Sequence, residues 1–319
     1  MAPKTQLQIV QPRSSGLERL VADYLAHKRA AGNSPRSFAL DANILERGFL
    51  PWCAREEVSK PEQLTQAVVD SWTAYLLNDH RTPKGQPLAR ESVRTYARTL
   101  GTFIRWAQTQ DAIGLKVKAT QPQRHRQLLE TLDRKEITQM ENAADSERDK
   151  LIIRLLADTG IRLGELLGIR RTDLVEQGRE RYIKVRGKGS RDRLVPLQPS
   201  LFVRLRSYAT RGRKAPASER IFVTNRKSPK SREYEPLAPR SVQNMLHFNA
   251  EAAGVERKVH PHLFRHSYAT WALRKGMNPL QLQRILGHAD LTMISSVYSH
   301  LTATDSYDAM IALLRAEED

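Results

Sequence analysis

Apolar residues recur at three- and four-residue spacing through most of the first 110 positions, and the breaks between the runs carry helix start and stop residues. "GLERLVADYLAHKRAAG" places Leu17, Leu20, Val21, Tyr24 and Leu25 on one helical face and stops at Gly32. "SPRSFALDANILERGFLPWCARE" opens with a Ser-Pro start signal, and "KPEQLTQAVVDSWTAYLLND" opens with Pro61 in its first turn. "ARESVRTYARTLGTFIRWAQTQ" carries a stripe of Val93, Tyr96, Leu100, Phe103, Ile104 and Ala107, with Arg90, Arg94, Arg98 and Arg105 around it. After a polar leader at 1–15, residues 16–110 therefore predict a four-helix domain with a basic exterior. Residues 111–130, "DAIGLKVKATQPQRHRQLLE", lose the periodicity and read as a basic linker. From Thr131 helical spacing resumes, interrupted by the Thr159-Gly160 break, and "YIKVRGKGSRDRLVPL" alternates with period two around a Gly-Lys-Gly-Ser turn, predicting a hairpin of two short strands. Residues 196–316 are again mainly helical in pattern. The expected fold class is mainly α with a small antiparallel β-sheet, with the second domain spanning 131–319.

Composition sharpens this picture. The 319 residues include 52 Lys plus Arg against 35 Asp plus Glu, a formal net charge of +17, and the basic residues are spread over both halves. A dispersed positive surface predicts a polyanion partner, with nucleic acid first because duplex phosphates reward dispersed cations through counterion release; solubility charge alone is the bland alternative. The single cysteine, Cys53, excludes an intrachain disulfide and a cysteine-based zinc site. The first twenty residues contain no signal-peptide core, and no apolar run approaches membrane-span length, so a cytoplasmic protein with no membrane partner is expected.

The densest chemistry lies in "HPHLFRHSYATWALRKG" at 260–276. At 100° per residue His262, Arg265 and His266 share one side of a helix, and Phe264, Tyr268 and Trp271 the other, which predicts a polar cluster facing away from the core. His262 and His266 have the i, i+4 spacing of zinc ligands, but position 263 is Leu where an H-E-x-x-H site needs glutamate, and Arg265 would repel a divalent cation. An anion-handling face ranks ahead of a metal site or a structural cluster. In "ADTGIRLGEL", Gly160 breaks a helix so that Arg162 emerges at the next helix start, with Glu165 three residues on. Lys188 sits at the tip of the hairpin between two glycines. His288 follows a Leu-Gly break in "LQRILGHADLTMISSVYSHL", and Tyr298 comes ten residues later.

Taken in order, "TGIRLGEL", "GKGSRDRLVPL", "HPHLFRHSYAT", "LGHADL" and "VYSHL" resemble the motif boxes of the tyrosine recombinase, or phage integrase, family. The likeness covers the second domain from about residue 131, and the helical first domain resembles that family's core-binding, SAM-like domain. The resemblance implies a site-specific recombinase that cuts and rejoins double-stranded DNA through a 3′-phosphotyrosyl intermediate. Arg162, Lys188, His262, Arg265 and His288 would form the phosphate-activating set and Tyr298 the nucleophile, with no metal and no other cofactor. It further implies a clamp around DNA, a tetramer on two sites, and a C-terminal helix bearing Tyr307, Met310, Ile311 and Leu314 that docks in trans. A partner recombinase is left open, and a cytoplasmic, nucleoid-associated location is expected. The ten-residue step from His288 to Tyr298 is one longer than in the chromosome-dimer-resolving branch and matches several phage and mobile-element integrases. Only about fifteen residues precede the first helix, which favours a simple two-domain plan without an arm-binding module. Sequence readout is expected from Arg90, Arg94 and Arg98 or from basic residues between 225 and 240. The competing readings are type IB topoisomerase-like strand relaxation and a catalytically idle DNA-binding protein of the same fold.

Overall fold

A computed structural model of the chain describes residues 16–123, 130–187, 192–212 and 218–287. The chain divides into two compact units, Met1–Arg126 and Gln127–Asp319. The leader, Lys188, His288, Tyr298 and the C-terminal segment expected to dock in trans lie outside the described residues.

The regular elements described in the first unit are helices. Helix α1, Gly16–Ala30, buries Leu17, Val21, Tyr24 and Leu25. Helix α2, Pro35–Ile44, starts where Ser34 Oγ accepts the Ser37 N–H at 3.2 Å and Pro35 supplies a preset φ. It runs through a π-helical turn, Leu45–Phe49, into α3, Leu50–Arg55. Pro51 explains that turn: with no N–H of its own and a ring that crowds the preceding turn, it is tolerated where the ladder widens, and the Leu50 N–H reaches back to Leu45 O. Pro61, expected inside the first turn of the third helix, instead heads a short 3-10 turn, and α4, Gln66–Asn78, begins after the Thr65 cap. Helix α5, Arg90–Thr109, buries Val93, Leu100, Phe103, Ile104 and Ala107 of its predicted stripe and Ala97 beside them, while Tyr96 is half-buried. Tyr24, Phe49, Trp72 and Phe103 are fully buried at the centre. Full burial of a Leu or Phe side chain contributes roughly 1.5–3 kcal/mol.

The first part of the 111–130 segment belongs to this unit's packing. Ile113 and Val117 are buried in its core. Ala119 lies so close to α5 that a Cβ on Gly101 would stand 3.1 Å from the Ala119 Cβ. Gln66 brackets Lys118 with two hydrogen bonds of 2.9 and 3.0 Å, and Arg94 donates to Pro122 O. These are side-chain bonds to irregular backbone, which leave no periodic trace in a sequence.

In the second unit, α6, Arg134–Ala143, opens with an Asp133/Glu136 capping box, and α7, Glu147–Thr159, with a Ser146 cap. Helix α7 is the central rod, burying residues on nearly every face from Leu151 to Thr159. It ends at Gly160 in the left-handed conformation, φ 61°. After α8, Leu163–Gly168, come three strands: β1, Leu174–Gln177, β2, Glu180–Arg186, and β3, Asp192–Pro196, antiparallel in the order β1-β2-β3. The alternating pattern predicted two strands, and β1 is the addition: it is four residues long, half exposed, and paired to β2 across a turn at Gly178, φ 56°. Ile183, Val185 and Val195 turn inward to the core. Helix α9, Pro199–Ser207, packs on the sheet. Residues 218–238 are irregular chain pinned by bridges Arg170 to Arg220 and Val223 to Pro236, where the sequence pattern suggested mainly helix. Helices α10, Pro239–Ala252, α11, Pro261–Arg274, and α12, Pro279–Leu286, complete the described residues. No helix among these residues is long and apolar enough to cross a membrane.

Candidate active site

Two arginines from two elements share one carboxylate, and a third, on another helix, stands near enough to feel its charge. Arg162 is the N-cap of α8, extended at φ −72° and ψ 150°, because the left-handed Gly160 turns the chain sharply out of α7. That turn admits only glycine: a Cβ at position 160 would stand 2.7 Å from Tyr268 Cδ1 and 2.8 Å from Leu286 Cδ2. Glu165 accepts the Arg162 backbone N–H at 2.7 Å and its Nη1 at 2.9 Å. From β3, Arg193 closes a fork on the same carboxylate, Nη1 to Oε1 and Nη2 to Oε2, both 2.9 Å. The Glu165 side chain is only 7% exposed. Burial by itself would raise its pKa, but the bonds from Arg193 and from the Arg162 backbone, with the positive charge beside them, hold it below the usual carboxylate value.

Arg265 corrects the helical-wheel reading of α11. It is 3% exposed, and with Phe264 and Tyr268 it forms part of a helix buried on most of its surface, so the polar residues do not face away from the core as a group. Its Nη1 donates to Gly160 O and its Nη2 to Leu286 O, each at 2.7 Å. Trp271, assigned to the anchoring stripe, is instead 39% exposed, with the Arg134 guanidinium 4.1 Å from its ring centroid. The wheel fails because Arg265 is admitted to the interior by carbonyls of other elements, which no property of its own helix reveals. Desolvation first, then the neighbouring charge of Arg162 and to a lesser degree Arg193, pushes its guanidinium down to about 10 against the opposing pull of Glu165. It stays protonated at neutral pH.

The carbonyls that hold these arginines come from the end of α12. Arg193 Nε donates to Ile285 O at 2.7 Å, Arg265 to Leu286 O, and Arg162 Nη2 to Gly287 O at 3.2 Å. A helix C-terminus leaves carbonyls unpaired and carries partial negative charge, so three cations there satisfy both needs. Arg162 and Arg193 divide the single negative charge of Glu165 between them, and the Arg265 guanidinium feels all three groups. Arg162, 39% exposed, is the member that solvent and an anion reach most freely.

His262 is exposed in the first turn of α11 and lines a groove of about 1040 Å³ with Arg240, Asn244, Lys258 and His260. Leu163, next to Arg162, lines the same groove, whose charged walls are mixed, with Arg240, Arg257 and Lys258 against Glu251 and Glu256. His260 is the N-cap, its Nδ1 accepting the Leu263 N–H at 3.2 Å. Desolvation, then the charges of His262 and Lys258, lower its pKa and favour the neutral ring that can cap. Of the residues singled out from the sequence, Arg162 and Arg265 are brought together and His262 borders the groove. Lys188, His288 and Tyr298 lie outside the described residues. In the helical unit Arg90 and Arg98 are exposed, while Arg94 is occupied by Pro122 O and Gln121 Oε1.

Arg193 was missed by reading the sequence. The signal was present: the two-residue period of β3 puts it on the same face as the buried Val195. An arginine at an inward strand position must find an anion or carbonyls. Among the described residues no group of three or more His, Cys, Asp or Glu side chains is placed to hold a metal ion.

The sequence model of the phage integrase family matches residues 126–305. Tyrosine recombinase XerA of Saccharolobus solfataricus is 29% identical over 265 residues, covering 81% of this chain and 80% of its own. Two solved structures share the fold. XerH recombinase bound to a palindromic difH substrate has a TM-score of 0.63 at 17% identity, covering 94% of this chain and 97% of that one. A lambda integrase tetramer bound to a Holliday junction has a TM-score of 0.64 at 19% identity, covering 89% and 78%.

Proposed function

The chain belongs to the phage integrase family of tyrosine recombinases, and on that premise we propose that it cuts and rejoins duplex DNA at specific sites through a 3′-phosphotyrosyl ester on Tyr298. The observation that carries this reading is the arginine cluster: Arg162 and Arg193 share the Glu165 carboxylate with Arg265 beside them, and Leu163, next to Arg162, lines the groove that His262 borders. A phosphodiester under attack gathers negative charge on its non-bridging oxygens, and planar guanidinium forks match that charge and its geometry. The Tyr298 oxygen forms the new bond to phosphorus as the bond to the 5′ oxygen breaks. His262 takes the phenol proton, Lys188 gives a proton to the departing 5′ oxygen, and His288 hydrogen-bonds the phosphate. Each strand exchange then runs in reverse: an incoming 5′-hydroxyl attacks the phosphotyrosyl ester and releases the phenol. The ester conserves the bond energy, so religation consumes no nucleotide.

Double-stranded DNA is the partner this chemistry requires, and the net charge of +17 supports it. Four copies on two sites would supply the four nucleophiles of a full exchange, with the segment carrying Tyr307, Met310, Ile311 and Leu314 as the expected contact between copies. The test is covalent trapping on nicked duplexes drawn from the flanks of the chain's own gene. Wild type is expected to form a denaturant-resistant adduct and Tyr298→Phe none, with DNA binding retained. An adduct that persists in Tyr298→Phe would move the nucleophile elsewhere, and relaxation of supercoiled DNA by a monomer without site preference would favour strand relaxation over recombination.

A further inference from the structure

We infer that Arg193 is a positioning residue of the phosphate site, acting through Glu165 to keep Arg162 free for an anion. The inference deepens the proposed recombinase site and rests on that reading for what the anion is. Glu165 is a nearly buried carboxylate within reach of both Arg162 and Arg193. Left with Arg162 alone, it would close fully on that guanidinium and cancel the charge an incoming phosphate needs. Arg193 prevents this by taking one hydrogen bond on each carboxylate oxygen. Glu165 then retains the Arg162 backbone N–H and a single Nη1 contact; with Nη2 on Gly287 O at 3.2 Å, the side chain is aimed while three of its five N–H groups are not engaged by these two bonds.

Arg193 is itself held on two further sides. Its Nε is bonded to Ile285 O, and the left-handed Gly287 packs against its guanidinium so tightly that a Cβ there would fall 2.8 Å from Cζ and Nη1. At 12% exposure it is far less open than Arg162. One side chain thus ties β3, which follows the segment bearing Lys188, to the end of α12, which precedes His288. A side chain so enclosed has little freedom to reach a ligand, which separates its role from that of Arg162.

The test uses the full chain labelled with 15N-arginine and reads two quantities. One is the titration of the Arg162 Nε–H resonance with inorganic phosphate. The other is the single-turnover rate of covalent adduct formation on a trapping duplex at saturating protein. Arg193→Gln is expected to weaken phosphate binding at least about fivefold and to slow adduct formation at least about tenfold, with duplex affinity changed less than about twofold. Arg193→Lys keeps a charge but not the fork and should recover part of both; it also serves if the glutamine variant does not fold. In a Glu165→Gln background the same Arg193→Gln change should cost less than about twofold. Arg19→Gln, an exposed charge in the helical unit, controls for net charge. An equal loss with and without Glu165 would make Arg193 an independent charge and overturn the inference, as would an unchanged phosphate titration. A wild type that forms no Tyr298-dependent adduct would sink the recombinase reading instead, and the phosphate titration would still decide the role of Arg193.

Discussion

Replacing Gly160 with alanine tests the turn on which the arginine cluster depends. At φ 61° an L-residue pays roughly 1–2 kcal/mol for the left-handed backbone. The new methyl would also meet Tyr268 Cδ1 at 2.7 Å and Leu286 Cδ2 at 2.8 Å, both on buried side chains with little room to retreat. Overpacking of this kind costs about 1–3 kcal/mol, so the total expected destabilisation of the second unit is about 2–5 kcal/mol. Native-state hydrogen exchange on peptides from α7 and α11 reads that unit directly. At a factor of ten per 1.4 kcal/mol, the slowest amides should exchange at least about thirtyfold faster. Gly168→Ala is the control: position 168 has an ordinary φ and nothing within 4 Å of the added carbon, so it should be neutral or stabilising by about 0.5 kcal/mol. Exchange in Gly160→Ala within about 0.5 kcal/mol of wild type would refute the steric reasoning, and with it the claim that this turn aims Arg162 and receives Arg265.

Glu141, between Arg154 and Arg204, and Glu165 both have carboxyl pKa values held below the ordinary 4.5 by arginine hydrogen bonds that outweigh desolvation. Their contribution to stability is therefore complete above the ordinary carboxylate range and is lost as pH falls through the lowered folded values; urea midpoints should drop between about pH 5 and 3, and Glu141→Gln should flatten that slope. Burial pushes the Cys53 thiol up to about 12, so a disulfide reagent at pH 8 should leave it unmodified in the native chain and label it promptly in urea. On duplex DNA, Arg90→Gln and Arg98→Gln are each expected to lower the salt slope of binding by about 1, and Arg94→Gln to change stability more than the slope, because its guanidinium is already committed to Pro122 and Gln121.

Local pattern was sufficient for much of the molecule. Helical spacing marked α1, α4 and α5, the Ser34, Asp133 and Ser146 caps stood where such residues cap, and period-two alternation marked the β2–β3 hairpin. These features depend on neighbours close along the chain, three or four positions away in the helices and at most 14 in the hairpin, so a linear reading reaches them. Motif order singled out Arg162 and Arg265, which the fold brings together, and His262, which borders the groove. What escaped was set by contacts between distant residues. The packing of 113–119 on α5 and the four-residue β1 have too few positions to establish a period.

The sequence by itself determined which residues are candidates for the site, because residue types and their order along the chain are chemical facts that folding does not alter. Tertiary structure alone decided the burial of Arg265, the sharing of Glu165 and the place of Arg193. Each depends on carbonyls and side chains that lie between 21 and 125 positions away and meet only when α7, α8, β3, α11 and α12 pack together. A guanidinium can enter an interior only if its N–H groups find acceptors there, and those acceptors are supplied by the ends of other helices.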